Sequence, residues 1–313
     1  MPQNPIAQPL GGATVSGTLV TVDSYVNPPT KIPARIAALV ASNMGYFAEQ
    51  ILSTPGIKVQ GGAVLYEILK PTDLFLPADQ SLAPRAPGAE APRLGAERGE
   101  PAVSRPESWS GSIEVTDEAR ARNDAIAVAN QFTRAANTIA NNIQTTVITA
   151  LAAFVTAQSR TVNSPINWTE AHASGIQASD PTKLPFADFA RVENKFIADK
   201  AGVFPDTLII HPDDWQTLIV TYSTVGGLAQ PGGVKAMLGD FGITNIVRTV
   251  LATKGAPLFV KAGQLGALLF EQPVSQEQER VARRKTDVYI IEVRPVVVLN
   301  EPAAVWQLTG INE

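Results

Sequence analysis

The chain has 313 residues, no cysteine and only two histidines, His172 and His211. Without cysteine there are no disulfides, thiolate metal sites or thiol nucleophiles, which suits synthesis in a reducing compartment. With two imidazoles, a Ser-His-Asp triad or a metalloprotease motif has little to draw on, and neither histidine sits in such a pattern. His211-Pro-Asp-Asp214 imitates a ligand cluster, but a strand running into a helix N-terminus explains all four residues. The pairs Gly61-Gly62, Gly226-Gly227 and Gly232-Gly233 lack the strand-to-helix context of a phosphate cradle and read as turns. Nothing in the spacing of the 29 acidic residues selects a catalytic carboxylate pair. The expectation is a protein that is not an enzyme, with no catalytic residue, cofactor or metal.

Long apolar runs are also missing. The longest, residues 147–155, is interrupted by Thr149 and is under half of the roughly 20 residues that a membrane helix needs. The first twelve residues show no basic stretch followed by an apolar one, so no secretory signal is expected and the chain should stay where it is made. A basic excess is absent as well: the net charge of −4 argues against a dedicated nucleic-acid binder.

What is present is an uneven distribution of proline and glycine. Residues 1–31 hold five prolines and three glycines and read as an extended arm, with a β-prone stretch at 17–22. Residues 32–52 repeat Ile36, Leu39, Val40, Met44, Phe47 and Ile51 at three- and four-residue steps, which predicts an amphipathic helix. Strands are predicted at 62–69 and 108–115, and between them residues 77–106 carry six prolines and three glycines with few large apolar side chains. Such a stretch builds no core, so it is expected to leave the domain as a two-stranded excursion ordered by something else.

Residues 112–163 are the opposite, with neither proline nor glycine. Thr116 is a credible N-cap followed by Asp117 and Glu118 in the first turn. Ile126, Phe132, Ala136, Ile139, Ile143, Val147, Leu151 and Phe154 then predict a helix of about ten turns, roughly 55–60 Å. Its back is polar but weakly charged, which suggests cover on both sides. Further on, the pattern predicts a helix at 186–197, a strand at 206–211, a helix from Pro212, and strands at 246–250, 257–261, 265–270, 288–294 and 296–299. The fold class is α+β.

Residues 277–285 form the one charge cluster. The acids Glu277 and Glu279 stand three and four residues before Arg280, Arg283 and other bases, which reads as a self-compensated solvated segment, with inter-subunit ion pairs involving Glu277, Glu279, Arg283 and Arg284 or a weak DNA contact as the functional alternatives.

The order of parts, together with Leu74-Phe75, Ala86-Pro87-Gly88-Ala89-Glu90-Ala91-Pro92, Trp109-Ser-Gly-Ser-Ile-Glu-Val115 and Arg122-Asn123, resembles the Hong Kong 97-like major capsid proteins of tailed bacteriophages, especially those of actinobacterial hosts. Asp206-Thr-Leu-Ile-Ile-His211, Glu292-Val-Arg-Pro295 and Ala303-Ala-Val-Trp306 are similar to that family's later strands. The resemblance spans essentially the whole chain. It implies an N-terminal arm (1–31), a short P-domain helix region (32–56), an extended E-loop hairpin (57–115), the spine helix and P-domain (116–200), a mainly A-domain stretch (201–290) and C-terminal strands (291–313).

By the same resemblance, hexamers and pentamers close an icosahedral shell around double-stranded DNA, assembled in the bacterial cytoplasm. Pro87, Gly88, Glu90, Arg93, Trp109, Arg120 and Arg122 are the expected inter-subunit contacts. A separate scaffolding protein, a portal protein and a decoration protein are implied partners, and mild acidity suits weak, non-specific contact with packaged DNA. Lys58 and Lys70 lie at the loop base without a catalytic constellation, so non-covalent assembly is expected. The rival readings are an encapsulin-like compartment of the same fold and an α/β enzyme with a disordered insertion at 77–106.

Overall fold

In the computed structural model, the described residues are 47–75, 99–122, 125–168, 184–224 and 233–311. The arm at 1–31, most of the helix expected over 32–52, His172, and Pro87, Gly88, Glu90 and Arg93 lie outside them. Of the 32–52 helix, only the last turn, α1 (Ala48–Ile51), is described, and it buries Ala48 and Ile51 completely.

Three sheets organise the rest. Strand β1 (Val64–Ile68) pairs antiparallel with β2 (Glu100–Ser104), in register from Val64 opposite Ser104 to Ile68 opposite Glu100. The excursion is therefore a hairpin, but its return strand lies inside the stretch expected to be structureless, and Pro101 sits in it. A two-stranded ribbon has only edges, so proline costs little there. The strand expected to close the hairpin, β3 (Trp109–Thr116), pairs instead with β9 (Thr286–Leu299), which pairs in turn with β8 (Gly266–Val281).

Strands β8 and β9 are far longer than their sequence suggested. Pro295 argued for a break between two short strands, yet β9 passes straight through it. The Glu107 amide donates to the Pro295 carbonyl at 3.2 Å, so the missing proline N–H faces a position just before β3 begins. No bond of the β3–β9 ladder is lost.

The third sheet has the order β4 (Thr161–Asn163), β10 (Val305–Thr309), β7 (Leu258–Val260), β5 (Thr207–Ile210) and β6 (Asn245–Arg248). Both its faces are covered. Ile209, Leu258 and Val260 belong to the core under the long helix, whereas Leu208, Ile210 and Phe259 face a second core with Phe189, Trp215 and Leu238. Those last residues come from helices α4 (Pro185–Ala198), α5 (Pro212–Thr224) and α6 (Gly233–Asp240). Gly233, read as a turn, begins α6.

The proline-free stretch forms a short helix, α2 (Asp117–Ala121), and then α3 (Ala125–Ala157). The Thr116 hydroxyl accepts from the Ala119 amide at 3.1 Å, as its sequence position predicts. At 33 residues α3 is about 50 Å long. By length and composition it is long and apolar enough to cross a membrane, although no uninterrupted apolar run in it reaches that length. Here its apolar face, including Phe132, Ile139, Ile143 and Leu151, packs on Tyr289, Ile291 and Val293 of β9. Its other side exposes Arg134, Asn141 and Thr145 to solvent.

The helix ends without a glycine. Ser159 takes φ +54°, and the Arg160 amide bonds back to the Val155 carbonyl at 2.9 Å. A left-handed residue at this point normally favours glycine. Ser159→Gly should raise subunit stability by about 1 kcal/mol in urea unfolding, since the Cβ penalty is removed and only part of it is offset by backbone entropy.

Candidate functional site

Six of the eleven exposed large apolar side chains among the described residues, Ile57, Leu65, Leu69, Leu74, Phe75 and Val103, lie on the β1–β2 hairpin or the segments flanking it in the chain. Alternation puts Val64, Tyr66 and Ile68 on one face and Leu65 and Glu67 on the other. The inner face is pinned to the body: Val64 and Tyr66 pack on Val59, Val296 and Val298. The Leu69 amide donates to the Asn300 carbonyl at 2.9 Å, and the Ser104 hydroxyl to the Val297 carbonyl at 2.7 Å. Lys70 and Glu100 pair at 2.8 Å across the base.

The outer face is bare. Leu65 and Val103 stand directly opposite each other at 74% and 58% exposure, and Ile57 and Phe75 nearby are 65% and 53% exposed. Cross-strand apolar pairs normally stabilise a sheet by excluding water. This pair does not, and adjacent exposed apolar residues of this kind mark an interaction surface.

Between the hairpin base and α3 runs a groove lined by Ser104, Glu107, Trp109, Thr146, Ala150 and Val297, among others. The Thr146 hydroxyl donates to Glu107 at 2.9 Å across it. Trp109, expected at a subunit contact, is half-buried in this groove, and its indole N–H has no acceptor among the described residues.

Arg120 and Arg122, the other two described residues of the expected contact set, are used differently. Arg120 reaches Asp287 at 2.9 Å, and Arg280 joins them, bonding Asp287 at 3.1 Å and Asp117 at 2.5 and 2.7 Å. This network ties the start of α2 to the β8–β9 hairpin within one subunit. The hydrogen bonds from Arg280 hold the Asp117 carboxyl below the usual carboxylate range. Arg122 is exposed, with only a 4.0 Å approach to Glu118.

The charge cluster at 277–285 is a strand end and a hairpin turn rather than a helix-like, self-compensated segment. In a strand, three- and four-residue spacing does not bring acids and bases together. Arg280 turns to the inner face and serves Asp117 and Asp287, while Glu277, Glu279, Arg283 and Arg284 remain exposed. Arg284 approaches Glu114 at 3.8 Å. Glu277, Glu279 and Arg283 form no ion pair among the described residues.

Buried polar groups elsewhere are structural. Asp188 is fully buried and accepts from Ser164 (2.7 Å), from the Trp168 indole (2.8 Å) and from Arg191. Asp214, at the entry to α5, accepts from the Gly255 amide at 2.7 Å, and His211 Nδ1 accepts from the Asp213 amide at 3.2 Å. The strand-to-helix account of His211-Pro-Asp-Asp214 thus holds, and among the described residues no acidic or histidine cluster could hold a metal.

Several solved structures share this arrangement. The virus-like particle from Pyrococcus furiosus aligns with a TM-score of 0.56 at 11% identity, covering 90% of this chain and 100% of its own. A chain of Mycobacterium phage Bobi aligns at 0.58 and 12%, covering 84% and 89%, and the capsid of Myoviridae phage XM1 at 0.55 and 10%, covering 87% and 92%. At such identities the likeness speaks for the fold, which is the Hong Kong 97-like capsid fold. No curated protein matches the sequence significantly. Residues 99–308, about two-thirds of the chain, match the family described as phage capsid protein. By that match the chain belongs to the phage capsid protein family, and its role is structural, in the capsid shell, rather than enzymatic.

Proposed function

We propose that this chain is the major capsid protein that self-assembles as hexamers and pentamers into an icosahedral shell around a phage double-stranded DNA genome, in the cytoplasm of the host bacterium. The observation that carries the reading is the bare Leu65–Val103 face on a hairpin whose other face is firmly anchored. An isolated hairpin is marginal in water. One that keeps its apolar residues outward gains most by lying on an adjacent subunit, as the E-loop assigned to residues 57–115 would. Pro87, Gly88, Glu90 and Arg93, with Trp109 and Arg122, would complete that contact. A separate scaffolding protein, a portal protein and a decoration protein are the expected partners, and the net charge of −4 suits weak contact with packaged DNA.

The likeness to an archaeal virus-like particle keeps a second reading in play, a compartment shell of the same fold with protein cargo. The contents of purified particles separate the two: DNA for the first, protein for the second. Limited proteolysis tests the loop contact. The stretch 77–106 should be cut in the unassembled subunit and at least about tenfold more slowly in particles. Equal cleavage in both states would contradict the reading.

A further inference from the structure

We propose that the β8–β9 hairpin carries an ion-pair contact between copies of this chain, in which Arg283 and Arg284 at its tip meet Glu277 and Glu279 on the shaft of the next copy. The inference rests on the shell reading and adds to it a specific surface.

The register fixes which way each charge points. Tyr289, Ile291 and Val293 of β9 are buried under α3, and their partners across β8 are Gln278, Gln276 and residues beyond. Glu277 and Glu279 lie opposite Ile290 and Val288, so they occupy the other face, away from the helix. Two residues apart on one face, their Cα atoms are about 7 Å from each other. At the far end of the sheet that same face is covered by Val59 and the hairpin base. At the tip end Glu114, Glu277 and Glu279 are exposed.

The neighbouring charges account for one another. Arg294 engages Glu292 at 2.7 Å and Glu271 at 3.4 Å, and Arg120 and Arg280 neutralise Asp287. Among the described residues, Glu277 and Glu279 are left without a cation, and Arg283 without an anion. Arg284 has only the 3.8 Å approach to Glu114, with 73% and 52% of the two side chains exposed, an interaction readily exchanged for another. Two carboxylates on one face of the shaft and two guanidiniums at the tip are complementary in sign and number. Within the subunit Arg284 turns toward Glu114, and neither arginine pairs with Glu277 or Glu279 among the described residues.

A tip-to-shaft contact joins two different patches and is therefore heterologous. Repeated about an axis it closes a ring of copies, the geometry that a shell needs. Charge pairs of this kind set register and suppress wrong juxtapositions more than they add affinity.

The test uses the full-length protein, expressed alone and with its scaffolding partner, and measures the assembled fraction by sedimentation and electron microscopy. Glu277→Arg with Glu279→Arg, and separately Arg283→Glu with Arg284→Glu, should each reduce assembled particles at least about tenfold through like-charge contact. Combining all four substitutions should restore most of the assembly. Wild-type assembly under the same conditions establishes the shell reading independently, so its failure is distinguishable from failure of the contact. Assembly of both reversed variants at the wild-type level would overturn the proposal, as would a combined variant that folds normally but does not recover. If a reversal disturbs folding, Glu→Gln and Arg→Gln versions at the same positions replace it, with a weaker loss expected and no loss contradicting the contact. Particles of the Arg283→Glu, Arg284→Glu variant that form normally but hold less DNA would assign the tip to phosphate and also overturn it.

Discussion

Arg160→Ala should destabilise the subunit by about 3–5 kcal/mol in urea unfolding, without any change in the assembly surface. Arg160 follows the left-handed turn at Ser159 and is 5% exposed. One of its terminal nitrogens bonds both Asp199 oxygens at 2.9 and 2.8 Å, and its guanidinium stacks over Trp306 at 4.5 Å. The Trp306 indole also donates to Asp199 at 3.1 Å. Removing Arg160 strands a nearly buried carboxylate with one neutral donor, and that uncompensated charge, more than the lost contact, sets the size of the effect. The double variant Arg160→Met, Asp199→Leu should therefore be more stable than Arg160→Ala alone. A loss below about 1 kcal/mol for the single variant would mean that water reaches Asp199 as freely as at the surface.

The second large effect concerns assembly. Leu65→Asp with Val103→Asp should cost the isolated subunit only about 1–2 kcal/mol, from two carboxylates opposite each other and poor strand propensity, because both side chains already face water. The same pair should abolish particle formation. In a covered contact the two carboxylates would be desolvated without partners, at a cost of several kcal/mol for each copy. Sedimentation of the assembly mixture measures the outcome, and particles at wild-type yield would show that this face stays exposed in the shell.

Much of the fold was legible because its periodicities are local. The proline-free stretch with apolar residues every three or four positions announced α3, and Thr116 announced where the helical region starts. The strand at 207–210 followed by Pro212 was equally plain, since an apolar run meeting proline and two acids is a local signal. The resemblance to phage capsid proteins then placed these parts in order.

What escaped the sequence depends on partners distant along the chain. The length of β8 and β9 was hidden by Pro295 and by the polar run from Glu271 to Arg280, and only their mutual pairing makes both continuous. The pairing of β1 with β2 rather than β3 was hidden by Pro101. The role of Arg280 could not be read at all, because Asp117 lies 163 residues away. For the proposed contact surface, the sequence pointed to Trp109 and the charges at 277–284. It missed Leu65 and Val103, whose exposure follows from which hairpin face the body covers.

The most direct measurement is electron microscopy of the purified protein, expressed alone and with its scaffolding partner, alongside size-exclusion chromatography. Closed particles or capsomer-sized rings are the predicted result. A stable monomer or dimer under both conditions, with residues 77–106 freely cut by protease, would contradict the claim that this chain builds a shell.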